Sequence, residues 1–127
     1  MRRANLACAV ALVMAAPLCG CRRDANTQIT QPQFVGTPSR GAALINYYGC
    51  GSCHTIPGIS AANGMVGPPL TGFSRRIYVA GLLRNTPDNL VYWIRYPQKV
   101  VPGNAMPEMN IDVRDARDIA AYLYTIR

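Results

Sequence analysis

The chain has 127 residues, half of them hydrophobic, and this length permits one small domain with a modest core. It carries 13 Lys and Arg against 6 Asp and Glu, a formal net charge of +7, but no basic run interleaved with aromatic residues indicates nucleic-acid binding. The apolar run at 6–18 is shorter than the roughly 20 residues that a membrane-spanning helix requires. These features argue against a nucleic-acid-binding or membrane-spanning protein.

Residues 1–20 are predicted to be an export signal. Arg2 and Arg3 precede the apolar run, as in a secretory signal peptide. The run ends in LCGC at 18–21, which resembles a bacterial lipobox, so Cys21 is predicted to become the lipidated first residue. Ordinary signal-peptidase cleavage, which would leave a soluble periplasmic protein, is the alternative. Loss of the leader lowers the net charge to +5, a balance that suits docking to an acidic partner.

A polar tether is predicted after the leader. Residues 21–38 hold the anchor cysteine and a stretch without apolar periodicity, and the folded domain is assigned to 39–127. Thr37 and Pro38 are the predicted cap and first turn of a helix. Its apolar face is predicted at Leu44, Tyr47 and Tyr48.

The pentapeptide Cys50-Gly51-Ser52-Cys53-His54 follows this helix and contains the only histidine of the chain. Its Cys-x-x-Cys-His spacing is typical of c-type haem attachment. Two thiols one turn apart can add to the two vinyl groups of haem, and the next residue then lies beneath the iron as its proximal ligand. Cys50 and Cys53 are therefore predicted to attach one haem c, and His54 to bind its iron.

Three other chemistries use a similar string. A thioredoxin-like dithiol requires a strand-helix-strand context, which the surrounding residues do not indicate. A structural zinc site requires four ligands, and no second Cys/His pair follows downstream. A disulfide between Cys50 and Cys53 remains open if no haem is delivered, but it leaves His54 without a role.

The second half of the chain predicts two further helices separated by loops. Residues 55–70 form a predicted compact loop around the proximal side. Thr86 and Pro87 begin a short helix that ends at Pro97, and a loop follows over 100–110. The buried face of this helix is predicted at Leu90, Trp93 and Ile94.

The last helix has the strongest periodicity. Asp112 can cap it, with Asp115 three residues later. Its apolar stripe, predicted to pack across the first helix, consists of Ala116, Ile119, Ala120, Leu123 and Ile126, with Tyr122 and Tyr124 as flanks. Because no segment alternates with period two, no substantial sheet is expected.

The second axial position of the iron must be filled by methionine, lysine, water or nothing, because His54 is the only histidine. Met106 is favoured, since it lies in a loop far enough along the chain to reach the distal face. Met109 is the competitor, and Met65 follows His54 so closely that it is expected to stay on the proximal side. Core filling is the alternative role for each methionine.

The order of these features resembles a class I cytochrome c over about residues 39–127. The shared features are a short helix, the Cys-x-x-Cys-His motif, Gly67-Pro68-Pro69-Leu70, Met106-Pro107 and a terminal helix. The resemblance implies an all-α fold, with three to four helices wrapped around one covalently attached haem. It also implies that the carbonyl of Pro68 accepts a hydrogen bond from the second nitrogen of His54.

The chain departs from the family pattern in two respects. Gly41 and Tyr47 each miss by one residue the family's first-helix positions, and the interval from His54 to Met106 is shorter than in mitochondrial members. The shorter interval implies trimmed loops and more exposed haem propionates. Candidate hydrogen-bond donors to those propionates are Trp93, Tyr78, Arg75 and Asn104, and packing is an equal alternative for Trp93.

The sequence therefore predicts a monomeric single-electron carrier on the periplasmic side of a bacterial membrane, and not an enzyme. No paired-carboxylate or nucleophile-base pattern indicates catalysis. A quinol-oxidising complex and a terminal oxidase are the expected redox partners, because the domain resembles the cytochrome c modules of some haem-copper oxidases. One alternative is a dedicated haem subunit of a periplasmic dehydrogenase or oxidase complex. Another is an enzyme or gas sensor with labile methionine ligation.

Overall fold

The computed structural model describes residues 36–127, and helices dominate this part of the chain. The α-helices are α1 (Pro38–Tyr47), α2 (Pro87–Arg95), α3 (Pro97–Val100) and α4 (Val113–Leu123). Single 3-10 turns lie at Cys50–Ser52 and Phe73–Arg75, and a two-residue hairpin pairs β1 (Tyr78–Val79) with β2 (Leu83–Arg84). The all-α class is confirmed. Cys21 and the predicted signal peptide 1–20 lie outside the described residues.

None of the helices within residues 36–127 has the length and apolar character needed to cross a membrane.

The core lies where α1 crosses α4. Gly41 makes the crossing possible, because a Cβ there would lie closer than 3.0 Å to the backbone of Asp118. The predicted stripe of α4 is confirmed: all five of its residues are buried, and Ile45 of α1 packs into the same cluster. Leu90 and Ile94 of α2 complete it from the other side. The α1–α4 pair is therefore the frame on which the loops are held.

The caps of α2 and α4 form as the sequence predicts. The Thr86 hydroxyl accepts from the N–H of Asn89 at 3.3 Å. The Asp112 carboxylate accepts from the N–H groups of Arg114 and Asp115, at 2.7 and 2.9 Å. Each of these two helices thus begins at the predicted residue.

Two predictions about α1 are wrong. Thr37 occupies the N-cap position but its side chain makes no cap; its N–H instead donates to Asp118 Oδ1 at 2.6 Å. Tyr47, predicted on the apolar face, is 80% exposed, because Gly41 and Ile45 form the face of α1 that packs on α4. Leu44 and Tyr48 are half-buried against the core. Contacts with α4 begin at Gly36, within the range that the sequence assigns to the tether.

A polar network closes the α1–α4 interface. The guanidinium of Arg40 bonds both Asp115 and Asp118, whose side chains are largely buried. The Tyr48 hydroxyl donates to the second oxygen of Asp115 at 2.8 Å. This bond, with burial, raises the pKa of Tyr48 to about 12, so the phenol is neutral at physiological pH. The network gives the two buried carboxylates partners that an apolar crossing would not supply.

Candidate functional site

The Cys-x-x-Cys-His segment continues directly from α1. Helix α1 ends at Tyr47, and one 3-10 turn begins at Cys50. The N–H groups of Cys53 and His54 both donate to the carbonyl of Cys50, at 3.3 and 3.0 Å. Both thiols are free, and burial raises the pKa of Cys50, so this thiol stays uncharged at neutral pH. One tight turn therefore presents two thiols and an imidazole.

The loop after His54 fixes the orientation of its imidazole. Nδ1 of His54 lies 2.9 Å from the carbonyl oxygen of Pro68. Gly67 packs against the ring so closely that a Cβ at this position would lie closer than 3.0 Å to three ring atoms. The N–H of Gly67 also donates to the carbonyl of Cys53 at 2.8 Å. The backbone around Gly67 thus forms a wall that holds the ring from one side.

This wall is backed by a small apolar core within the loop. Ile56, Ile59 and Ala62 are buried, and Ile56 N–H donates to the carbonyl of Ala62 at 3.0 Å. The Tyr122 hydroxyl of α4 donates to the carbonyl of Pro57 at 2.8 Å. The loop is therefore packed and bonded to the helical frame, as expected for a segment that positions a ligand.

A cavity of about 550 Å³ opens between this turn and the rest of the domain. Cys50, Cys53, His54 and Pro68 line it, and so do Trp93 and Met106. Most of its remaining wall is apolar. Core side chains of α1, α2 and α4 supply one part of it, and the loops and the hairpin between the helices supply the larger part. The structure thus brings to one cavity the predicted attachment cysteines, both predicted axial ligands, and Pro68 and Trp93.

The three candidate methionines are distributed differently. Met65 is 91% exposed and does not line the cavity. Met106 and Met109 are half-buried and both line it. Met109 also packs against the buried hydrophobic cluster. The cavity is therefore within reach of two thioethers, which come from the segment between α3 and α4.

Comparison with known sequences decides the family. The family model described as Cytochrome c matches residues 38–127, which is most of the chain and nearly all of the described part. The chain belongs to the cytochrome c family. It is a class I c-type cytochrome, with the helical fold of that class and the role of an electron carrier.

Two relatives and one solved structure are similar to this cytochrome. Cytochrome c oxidase subunit 2 of Alkalihalophilus pseudofirmus is 33% identical over 90 residues, which cover 70% of this chain and 25% of that protein. The subunit of the same name from Bacillus sp. (strain PS3) is 35% identical over 68 residues, 52% of this chain and 19% of that one. This chain thus spans at most about a quarter of either relative. The structure of cytochrome c2 from Rhodobacter sphaeroides matches with a TM-score of 0.51 and 25% identity, covering 72% of this chain and 96% of that one.

The lining residues of this cytochrome fit the covalent haem c of the family. Haem attachment requires two thiols within one turn and an adjacent imidazole, and Cys50, Cys53 and His54 meet this requirement. The large hydrophobic porphyrin requires apolar walls, which the core supplies. The roles of individual residues remain predictions.

The segment that carries Met106 is held by two amide side chains that sequence reasoning did not assign to this task. Gln98 of α3 donates from Nε2 to the carbonyls of Asn104 and Met106, at 2.9 and 2.8 Å, and accepts from the N–H of Gly103 at 3.0 Å. Asn104 accepts from the N–H of Met106 at 2.7 Å. In the sequence, the one feature that could have pointed to Gln98 is its position directly after Pro97. In the structure, Pro97 is one of the most buried residues of the described part.

The four candidate propionate donors are placed unequally. Trp93 and Tyr78 line the cavity, and Trp93 also packs against the core. Asn104 lines it too, but its Nδ2 already donates to the carbonyls of Pro97 and Val101, at 3.0 and 2.6 Å. Arg75 does not line the cavity, whereas its neighbour Arg76 does. Arg76 is the one lining residue, among those described, with an arginine, lysine or carboxylate side chain, and sequence reasoning missed it by one position.

Proposed function

We propose that this cytochrome carries single electrons through one haem c, attached by Cys50 and Cys53 and ligated by His54 and Met106. The observation that carries the proposal is that these four residues, from two distant segments, line one apolar cavity in a protein of this family. Bound haem iron supplies the chemistry, a one-electron change between ferric and ferrous states. The chain contributes attachment, axial ligands and exclusion of water.

The packing of the two thioethers supports Met106 over Met109. Met109 packs against the buried cluster, the ordinary role of methionine in a core. Both backbone polar groups of Met106 are instead held by side chains, in a loop between two helices. A side chain whose backbone is fixed in this way can reach the cavity with little loss of conformational entropy.

The Pro68 carbonyl supports His54 as the proximal ligand. A hydrogen bond from the second nitrogen fixes the tautomer and the ring orientation, and it makes the other nitrogen a stronger ligand. With a thioether as the other ligand, the reduction potential is raised, because the thioether favours ferrous iron. A filled pair of axial positions also leaves no open site for substrate, which is why we propose a carrier and not an enzyme.

A terminal oxidase is the proposed electron acceptor, with a quinol-oxidising complex as donor. The relatives that share this domain are named as subunit 2 of cytochrome c oxidase, so a domain of this kind occurs joined to an oxidase polypeptide. The lipobox-like sequence supports lipidation at Cys21, and with it attachment of a monomer to the periplasmic side of a bacterial membrane. Metabolic labelling with a radioactive or alkyne fatty acid tests the anchor: Cys21→Ala must abolish incorporation.

Optical spectroscopy of protein made with haem-maturation machinery tests the proposed ligands. We expect the haem to stay with the polypeptide during acid-acetone extraction, and to be extracted from the Cys50→Ala, Cys53→Ala double variant. The weak long-wavelength band of ferric iron bound to methionine should disappear in Met106→Ala and persist in Met109→Ala. Haem that is extracted freely, or high-spin iron in the ferric wild-type protein, would contradict the proposed function as an electron carrier.

A dedicated haem subunit of one periplasmic enzyme complex is the second candidate. Four exposed apolar side chains favour it: Val66 (68%), Ile77 (67%), Leu82 (64%) and Tyr78 (49%) lie in or next to segments that line the cavity. Such residues around the cavity suit a permanent interface. Mild solubilisation followed by size-exclusion chromatography separates the two ideas, because a dedicated subunit co-elutes in fixed ratio with its enzyme and a carrier elutes alone.

A further inference from the structure

The segment 103–106 has no regular secondary structure of its own, yet four of its backbone polar groups are bonded to side chains. The carbonyl of Met106 accepts from Gln98 Nε2 and its N–H donates to Asn104 Oδ1. The N–H of Gly103 donates to Gln98 Oε1, and the carbonyl of Asn104 accepts from the same amide group of Gln98. One glutamine side chain thus bonds three of the four residues of this segment.

Gln98 is itself placed on a rigid support. It belongs to α3, whose first residue, Pro97, is less than 2% exposed. The carbonyl of Pro97 accepts from Asn104 Nδ2, so the support and the segment are joined a second time. The backbone of Met106 is therefore tied to the buried start of α3, directly through Gln98 and indirectly through Asn104.

We propose that Gln98 is the positioning residue for Met106, and that its amide keeps the thioether in the cavity against competing ligands. This proposal rests on the proposed role of Met106 as axial ligand. A thioether in an unbonded loop would leave its site often, and an external ligand such as carbon monoxide would then enter. With three bonds to the segment, Gln98 lowers the population of the open state.

The isosteric substitution Gln98→Glu tests the bonds separately from the packing. A carboxylate can still accept from Gly103 N–H but cannot donate to the carbonyls of Asn104 and Met106, which it would repel at pH 7. Asn85→Asp is the matched control. Asn85 Nδ2 donates to the carbonyls of Phe73 and Arg76, and its Oδ1 accepts from the Tyr124 hydroxyl, so it makes the same number of bonds away from Met106.

Carbon monoxide binding to the ferrous protein is the principal readout, measured by rapid mixing at neutral pH. We expect Gln98→Glu to bind at least about tenfold faster than wild type, a change of about 1.4 kcal/mol in the opening equilibrium. Asn85→Asp should lower the melting temperature but stay within about twofold of the wild-type rate. Equal rates for the two variants, or a wild-type rate for Gln98→Glu, would overturn the positioning role.

Met106→Ala separates the failure of this proposal from that of the proposed ligand. If Met106→Ala binds carbon monoxide at once and Gln98→Glu behaves as wild type, only the positioning role is wrong. If Met106→Ala binds no faster than wild type, the ligand assignment is wrong and the positioning role fails with it. If Gln98→Glu does not fold, amide hydrogen exchange in the ferric wild type is the second measurement. The N–H of Gly103, which donates to Gln98 Oε1, must be protected, and exchange at the rate of an unprotected amide would refute the proposal.

Discussion

Nδ1 of His54 lies 2.9 Å from the carbonyl oxygen of Pro68, so the orientation of the candidate proximal imidazole depends on the backbone that follows Gly67. That backbone approaches the ring so closely that residue 67 has no room for a side chain. The loop and the imidazole are therefore a single packed unit, and a change in one must displace the other.

Gly67→Ala should disrupt this unit. A Cβ would overlap Cε1, Nδ1 and Nε2 of the His54 ring, and either the ring or the Pro68 carbonyl must move. We expect a large loss in the yield of protein with covalently bound haem, and a loss of about 2–3 kcal/mol in the free energy of unfolding of what remains. Haem-stained gels and urea titration measure the two effects.

Gly72→Ala is the control for the Gly67 variant, because Gly72 does not line the cavity. A Cβ there would meet only the end of the exposed Arg75 side chain, at 3.2 Å, so its φ of +62° is what makes alanine unfavourable, at a cost of about 1–2 kcal/mol. This variant should keep a normal haem yield. If Gly67→Ala matures as well as Gly72→Ala does, the close approach of Gly67 to His54 has no role in holding the ring.

The crossing of α1 and α4 should be equally sensitive at Gly41. Alanine would gain about 1 kcal/mol in helix propensity, but its Cβ would overlap the Asp118 backbone and push the helices apart. We expect Gly41→Ala to lower the free energy of unfolding by about 2 kcal/mol or more, measured by urea titration with far-UV circular dichroism. Ala43→Gly, at an exposed position of the same helix, should cost only about 1 kcal/mol. Stabilisation by Gly41→Ala would contradict the close crossing.

The sequence correctly predicted those structural elements that are determined by residues close together in the chain. The caps at Thr86 and Asp112 and the stripe of α4 depend on residues three or four apart, and all formed as expected. The face of α1 did not, because Tyr47 and Ile45 are both apolar and only the crossing at Gly41 decides which of them is buried. Periodicity could not report a contact with a helix more than 70 residues away.

The candidate site shows the same division. The Cys-x-x-Cys-His motif is contiguous, so its chemistry could be read directly from the sequence. Gln98 and Arg76 could not be identified in this way, because their roles depend on where the loops return over the cavity. Asn104 illustrates the error this produces: a polar residue near Met106 is a reasonable propionate donor in the sequence, yet its amide bonds the loop backbone.

The stability of the fold should depend on the ionised form of Asp118. Burial raises the pKa of this carboxyl, but the N–H of Thr37 and the guanidinium of Arg40 more than offset it, so the pKa lies below the ordinary 3.8. A carboxyl with a depressed native pKa stabilises the fold above about pH 4, and this contribution is lost as the pH falls through the native value. Asp118→Asn should therefore lower the free energy of unfolding by about 2 kcal/mol at pH 7 and by much less at pH 2.

Urea titrations from pH 2 to pH 7 check this dependence. Asp88→Asn is the control, because it removes the same charge from an exposed position in the first turn of α2. That variant should retain the wild-type decline in acid. An Asp118→Asn protein whose stability falls as steeply as wild type between pH 4 and pH 2 would show that the network with Arg40 and Thr37 does not govern acid unfolding.

Arg76 should raise the reduction potential more than Arg75 does. The two arginines are adjacent, but only Arg76 lines the cavity, where its guanidinium bonds the carbonyls of Pro69 and Thr71. A cation close to the iron favours the less positive, ferrous state. Arg76→Gln should therefore lower the potential by on the order of 30 mV, which is about 0.7 kcal/mol for one electron.

Arg75→Gln is the control, because it removes the same charge from the exposed neighbour, and it should shift the reduction potential less. Voltammetry at low ionic strength compares them, and equal shifts would show that Arg76 is no closer electrostatically to the iron than Arg75.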